Sequence, residues 1–213
     1  ILIMKNISLK VLAFLFVALS LNLNAQNEDN PWAISVGVSA IDFYPVGNHD
    51  GDQFFSGDNF EDFFSVKDHW NISPTVSYVS FGRYLKNNLS LTFTGTVNNI
   101  EKYGSESVDN LSYYNLSGRF TYSLAELFNT NKLEPFLGIG GGYSWLDEGP
   151  FNSNGYVDSS TLNGIGSFNT TFGLSYWVSD FIGFTLQSTY NYIMPKDTNI
   201  VQQHFTHLSL IHI

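Results

Sequence analysis

Two histidines near the C-terminus come closest to a catalytic arrangement. His204 and Thr206 share one face of a predicted strand, and His207 and Ser209 share the other, because side chains alternate along a strand. A histidine activates a serine only when a third group, such as a carboxylate, orients the histidine. No acidic residue follows Asp197. The pattern favours polar lining and rim residues, and we assign no catalytic residue.

The glycine run Gly138-Ile-Gly-Gly-Gly142 superficially suggests a phosphate loop. A phosphate loop must lead from a strand into a helix N-terminus, whereas the strand pattern here continues through the glycines. Glycines inside a strand also leave space where another side chain or backbone approaches closely. The run therefore predicts a crowded strand, and we expect no cofactor.

An acidic segment near the start of the chain could hold a divalent cation through carboxylate oxygens. Its acids are Asp50, Asp52, Asp58, Glu61 and Asp62. The segment lacks the twelve-residue ligand pattern of a calcium loop, so we assign no metal site. The net charge of −10 gives no electrostatic basis for binding nucleic acid. The absence of cysteine excludes disulfides and thiolate chemistry.

The elements that carry these residues have a period of two, with one apolar and one polar face, which predicts strands. Five segments show this pattern clearly: 32–40, 89–98, 114–123, 168–176 and 182–191. Three more, 75–84, 134–145 and 204–213, show it less regularly and bring the number of predicted strands to eight. Most have about the 9–11 residues that a tilted membrane strand needs. Their polar faces are rich in Ser, Thr and Asn, which would pack poorly in a dry core.

Short and long connections alternate between these segments. The shorter ones are 85–88, 124–133 and 178–181, and the longer polar ones are 45–72, 101–110, 146–164 and 193–203. Outer-membrane barrels have tight periplasmic turns and longer outer loops, with aromatic girdles at both interfaces. The pattern therefore predicts an eight-stranded antiparallel up-and-down transmembrane β-barrel with 45–72 and 146–164 outside the cell.

The N-terminus has the order of blocks found in a secretory signal peptide. Lys5 and Lys10 precede the apolar run 11–21, and Ala25 offers a cleavage site. We expect 1–25 to be the signal peptide and 26–213 to be the barrel domain.

Four segments resemble the N-terminal barrel of OmpA-family outer-membrane proteins from Bacteroidetes-type bacteria. They are Asn-Pro-Trp-Ala-Ile-Ser-Val-Gly-Val (30–38), Phe-Gly-Arg-Tyr-Leu (81–85), Pro-Phe-Leu-Gly-Ile-Gly-Gly-Gly-Tyr-Ser-Trp (135–145) and Asp197 with His-Phe-Thr-His (204–207). The resemblance implies a barrel in the outer membrane without catalytic residues. Such proteins usually continue into calcium-binding repeats and a peptidoglycan-binding domain. We expect neither within these 213 residues, so we assign no wall-anchoring role.

The expected function is a structural, surface-interaction or small-pore role without catalysis, because an eight-stranded interior is just wide enough for side chains to fill. The expected partners are outer-membrane lipid and lipopolysaccharide, with an extracellular ligand bound through 45–72 and 146–164. Two alternatives remain open. One is a lipid-modifying barrel enzyme, since a His and a Ser two residues apart resemble the arrangement in lipid A deacylases. The other is a soluble ligand-binding β-barrel.

Two further expectations concern individual strands. Arg83 and Arg119 are predicted to lie in the lumen in a paired charge network, with Glu134 as a partner. In the last strand, Leu208 and Leu210 are predicted to face lipid and Ile211 to face inward. That strand is expected to close the barrel poorly, and the end at Ile213 to be a truncation.

Overall fold

Nine strands account for most of the residues that the computed structural model describes, which are 31–43, 65–103, 106–128, 132–147, 162–179, 182–194, 201 and 203–212. The strands are β1 Trp32–Asp42, β2 Asn71–Ile72, β3 Tyr78–Lys86, β4 Leu89–Tyr103, β5 Glu106–Ser123, β6 Leu133–Asp147, β7 Leu162–Trp177, β8 Gly183–Ile193 and β9 His204–His212. Two single-turn helices are α1 Val66–His69 and α2 Ala125–Phe128. Among the described residues no helix has the length and apolar character to cross a membrane.

The sheet closes on itself. Every long strand pairs antiparallel with the next one along the chain, and β9 pairs with β1. The short β2 adds to β1 beside β3 and leaves eight long strands around the barrel. Closure gives each of the eight long strands a partner on both sides, which removes the open sheet edges. The prediction of a closed eight-stranded antiparallel barrel is confirmed.

Side chains of opposite character occupy the two surfaces of the wall. Exposed outward positions hold large apolar residues, among them Phe81, Phe93, Leu116, Ile139, Phe172 and Leu186. Buried inward positions in the middle of the barrel hold small polar residues, among them Ser80, Thr94, Asn115, Asn169, Thr185 and Asn191. The predicted alternation is therefore present, with its polar face inside.

The two ends of the barrel differ in their connections. At the turn end, β3 and β4 are joined through Asn87 and Asn88, whose φ angles of 51° and 64° suit a two-residue hairpin turn. At the opposite end, called the loop end here, β4 and β5 continue to Tyr103 and Glu106. The long connection predicted at 101–110 is therefore wrong, because most of that segment belongs to the two strands. Likewise β7 already begins at Leu162.

The closing strand corrects a second expectation. Along β9, residues Phe205 to His212 pair with Asp42 to Ser35 of β1, so the barrel closes along most of β1. Leu208 and Leu210 are buried inside against Tyr78. Ile211 faces outward and is 41% exposed. The predicted faces of β9 and its poor closure are both wrong, because pairing register outweighs the apolar character of two leucines. The truncation at Ile213 stays a prediction.

The predicted signal peptide 1–25 and the acidic segment from Asp50 to Asp62 lie outside the described residues, as do large parts of 45–72 and 146–164.

Candidate functional site in the barrel interior

The middle of the lumen is filled by side chains that hydrogen-bond between strands. Thr94 and Ser117 share a hydrogen bond of 2.6 Å. Thr171 and Thr189 share one of 2.9 Å. Because hydroxyl groups both donate and accept, they satisfy one another without water. This explains why Ser and Thr dominate the inward positions of a narrow barrel.

Arg119 is the cation that the described structure places in this interior. Its Nη2 donates a hydrogen bond of 2.8 Å to Oε1 of Gln187, which links β5 to β8. Gly140 lies beside Arg119 in the ladder between β5 and β6. A Cβ at Gly140 would lie 2.7 Å from Cα and Cβ of Arg119. The prediction that the 138–142 glycines make room for neighbouring groups is confirmed at this position.

Two cavities meet at Arg119. The larger one, of about 80 Å³, lies toward the turn end and is called the turn-end cavity. The smaller one, of about 20 Å³, lies toward the loop end. Arg119 is the residue that lines both of these cavities.

Four buried polar atoms of the turn-end cavity have no hydrogen-bond partner among the described residues. They are Nε of Arg119, Oγ1 of Thr121, Nε2 of Gln187 and Nε2 of His212. All four residues line this one cavity. Buried polar atoms are usually paired, so their convergence distinguishes this cavity from the hydroxyl-filled middle of the barrel.

The charge network predicted from the sequence is only partly present. Glu134 lines the turn-end cavity, but its carboxylate accepts a hydrogen bond of 2.6 Å from Nε1 of Trp177 rather than bonding to Arg119. Arg83 lies on the exposed outer surface, with its guanidinium carbon 4.9 Å from the ring centre of Trp32. The prediction was right for the position of Arg119 and wrong for Arg83 and for the ion pair. Arg83 can remain charged outside because it lies near the end of β3, at the rim.

An apolar plug closes the lumen at the loop end. Its buried members are Ile41, Phe43, Ile100, Tyr103, Leu111, Tyr113, Leu146, Ile165, Ile193 and Val201. The alternating pattern of the sequence, with one polar face per strand, did not predict this core. The sequence does contain a sign of this core. Toward the loop end, the inward residue changes from polar Ser39 to apolar Ile41 in β1 and from polar Asn98 to apolar Ile100 in β4.

His204 belongs to this plug. It is fully buried, and its Nε2 shares a hydrogen bond of 2.7 Å with the hydroxyl of Tyr113. The Phe43 ring packs 4.8 Å from the His204 ring. His204 therefore connects β9 to β5 inside the closed end of the barrel.

His207 lies on the outer surface, on the face that it was predicted to share with Ser209. Its Nδ1 shares a hydrogen bond of 2.9 Å with Oγ of Ser188 in β8, and not with Ser209. The Trp70 ring stacks on the imidazole at 4.0 Å, and His207 is buried. The serine that contacts His207 is thus Ser188, which lies opposite it in the ladder between β8 and β9. The spacing of two residues between His207 and Ser209 does not predict this contact.

Comparison with known proteins places the fold. The sequence matches no protein-family model and no curated protein. Among solved structures, Neisserial surface protein A aligns with 85% of this chain and 96% of its own, at 15% identity and a TM-score of 0.53. The outer membrane protein OprG of Pseudomonas aeruginosa aligns with 90% of this chain and 95% of its own, at 12% identity and a TM-score of 0.48. The match to the Neisserial protein shows that this chain has the fold of an outer-membrane β-barrel.

Proposed function

We propose that this protein is exported, spans the bacterial outer membrane and acts there as a structural and surface-contact barrel with a closed lumen. The observation that carries the proposal is the apolar plug at the loop end, which fills the interior above a polar, hydrogen-bonded middle. Since the apolar plug occupies the loop end of the lumen among the described residues, contact through the outer surface and the loops is the role that this geometry supports.

The outer wall supports membrane insertion. Leu116, Ile139 and Leu186 are 60%, 58% and 66% exposed, which is costly in water. A membrane barrel must direct such side chains into lipid and pair its backbone groups internally. This barrel has large apolar side chains on its outer surface and a closed ladder of long strands, which supports insertion. A soluble ligand-binding barrel would need the opposite arrangement, with its apolar side chains inside.

The Ser188–His207 pair is assigned a structural role under this proposal. Trp70 covers the imidazole, and both members of the pair are buried. The Ser188 hydrogen bond holds the imidazole in place, and the stacking of Trp70 on His207 attaches the segment before β2 to the outer face of β9. We therefore propose contacts with outer-membrane lipid and lipopolysaccharide, an extracellular ligand bound through 45–72 and 146–164, and no catalysis. We also propose that the chain is related specifically to the OmpA-family barrels of Bacteroidetes-type bacteria.

Two measurements test the proposed function. Membrane fractionation of cells that express the chain should recover it with the outer membrane, and recovery in the soluble periplasmic fraction would contradict insertion. The purified protein reconstituted in planar bilayers should show no stable single-channel conductance. Steady channels in the wild-type protein would contradict the closed lumen.

A comparison of lipid A masses from cells with and without the protein tests the enzymatic alternative. Unchanged masses are expected, and loss of an acyl chain that depends on Ser188 would overturn the structural assignment of the pair.

A further inference from the structure

We propose that the turn-end cavity is a binding site for one small oxyanion, either a carboxylate or a tetrahedral anion of the phosphate type. Four residues converge on this cavity with buried polar atoms that have no partner in the described part of the chain: Arg119, Thr121, Gln187 and His212. They come from three different strands, so the fold and not the local sequence brings them together.

The chemistry of these atoms is mainly that of donors. Nε of Arg119 and Nε2 of Gln187 each carry hydrogen, and the Thr121 hydroxyl donates as well. His212 shares a hydrogen bond of 2.7 Å between its Nδ1 and Oγ of Ser35. When the Ser35 hydroxyl donates in that bond, the neutral ring carries its proton on Nε2, where it faces the cavity. A group of converging donors suits an acceptor-only ligand, and an oxyanion is such a ligand.

On the side of the cavity near Gln187, the charge comes from Arg119 and is positive. Arg119 is always protonated, and within the described residues it forms no ion pair. Arg119 is half-buried, with its Nε fully buried. A cation in such a place is stabilised by a counterion, which a bound anion would supply. Glu134 is the opposing charge in the lining, but its carboxylate is held by Trp177. This arrangement directs an anion to the Arg119 and Gln187 side of the cavity.

Size and access are compatible with a small ligand. The cavity of about 80 Å³ is several times larger than the volume that a single water needs, which is about 10–15 Å³. The apolar plug blocks the loop end. The ligand would therefore enter from the turn end.

The test uses residues 26–213 refolded in detergent micelles, with chloride as the background anion at constant ionic strength. Sodium acetate, phosphate and sulfate are titrated separately by calorimetry, and thermal unfolding is measured at each concentration. We expect saturable binding and a rising unfolding temperature with at least one of the three anions. Acetate alone would identify a carboxylate site, and phosphate or sulfate would identify a tetrahedral one.

Three variants locate the site. Arg119→Gln should weaken binding about tenfold or more, since a hydrogen bond to a charged group contributes about 1.5–3 kcal/mol. Arg83→Gln is the matched control, because it removes an arginine from the outer rim, and it should bind like the wild type. Thr121→Val removes one hydroxyl with little change of shape, and should weaken binding even if Arg119→Gln fails to fold.

Absence of saturable binding with all three anions would overturn the proposal. Equal affinity of the wild type and a folded Arg119→Gln variant, or of the wild type and Thr121→Val, would overturn it as well. Because every measurement is made in micelles, these results do not depend on whether the protein resides in the outer membrane.

Discussion

Asn71 supplies hydrogen bonds to the barrel wall at the loop end, where β1 and β4 extend beyond β3. Its Nδ2 donates to the carbonyls of Ile41 and Lys102, at 2.9 and 2.8 Å. Its Oδ1 accepts from the backbone N–H groups of Glu101 and Lys102, both at 2.8 Å. A register shift in β4 between Ile100 and Lys102 accompanies these bonds. One amide thus serves four backbone groups on two strands.

Replacing Asn71 should therefore destabilise the barrel. Asn71→Ala leaves buried backbone donors and acceptors without partners, and we expect a loss of about 2–4 kcal/mol in the free energy of unfolding. Urea unfolding of the refolded protein measures this loss. Asn99→Ala, at an exposed position of β4, is the control and should stay within about 0.5 kcal/mol of the wild type. Equal stability of the two variants would contradict the role given to Asn71.

Residue types alone predicted the location of Arg119 but not its partner. A charged residue on the polar face of a strand had to point inward, and Arg119 does so. The bond to Gln187 joins strands that are not neighbours, across the lumen. Such a contact depends on the shear of the barrel, and a sequence period of two contains no information about shear.

At the level of single strands, the inward face is not uniform along its length. Ser144 and Leu146 both point inward from β6, as Ser167 and Ile165 do from β7. The polar inward residue lies in the middle of each strand, and the apolar one lies at the loop end. A rule that assigns one character to each face works for the middle of the strand and fails at this end. A plug at the loop end is therefore not predictable from a rule of one character per face.

The closing pair of strands depends on Gly37. A Cβ at this position would lie 2.7 Å from Cδ2 of Leu210 and would also clash with the backbone oxygen of Ser209. Gly37 pairs with Leu210 on one side and with Tyr78 on the other. Because Gly37 has no side chain, β9 can approach β1 closely with Leu208 and Leu210 directed into the lumen.

Gly37→Ala should weaken closure, because a clash with backbone atoms is relieved only when β1 and β9 move apart. We expect a loss of about 1–3 kcal/mol in unfolding free energy and a smaller heat-modifiable fraction on gels. Gly95→Ala is the matched control, since a Cβ there has ordinary contacts of 3.6 and 3.7 Å with Leu116 and Val79. Normal refolding of Gly37→Ala would show that the two strands tolerate the extra atom.

At the scale of the whole molecule, strand number, pairing direction and the polar interior were all predictable, because a period of two and alternating connection lengths suffice for them. Side-chain partners across the lumen were not, because they depend on a closed shape that no local pattern encodes. The plug and the turn-end cavity belong to this second group. Both require a closed barrel, in which β9 pairs with β1.

The difference between the two ends of the barrel leads to a prediction about orientation. Glu101 is exposed near the loop end of β4, and Glu126 is exposed in α2 at the turn end. The chain has no cysteine, so a single introduced thiol is unique. Outer-membrane barrels place their longer loops outside and their short turns in the periplasm.

Intact cells are labelled with a maleimide attached to a polymer too large to cross the outer membrane. Glu101→Cys should react on intact cells, whereas Glu126→Cys should react only after the outer membrane has been permeabilised. Each variant is the control for the other, because both replace an exposed glutamate. The opposite pattern would reverse the orientation, and the plug would then face the periplasm. Under the proposed orientation the plug seals the lumen toward the outside, and the turn-end cavity exchanges its contents with the periplasm alone.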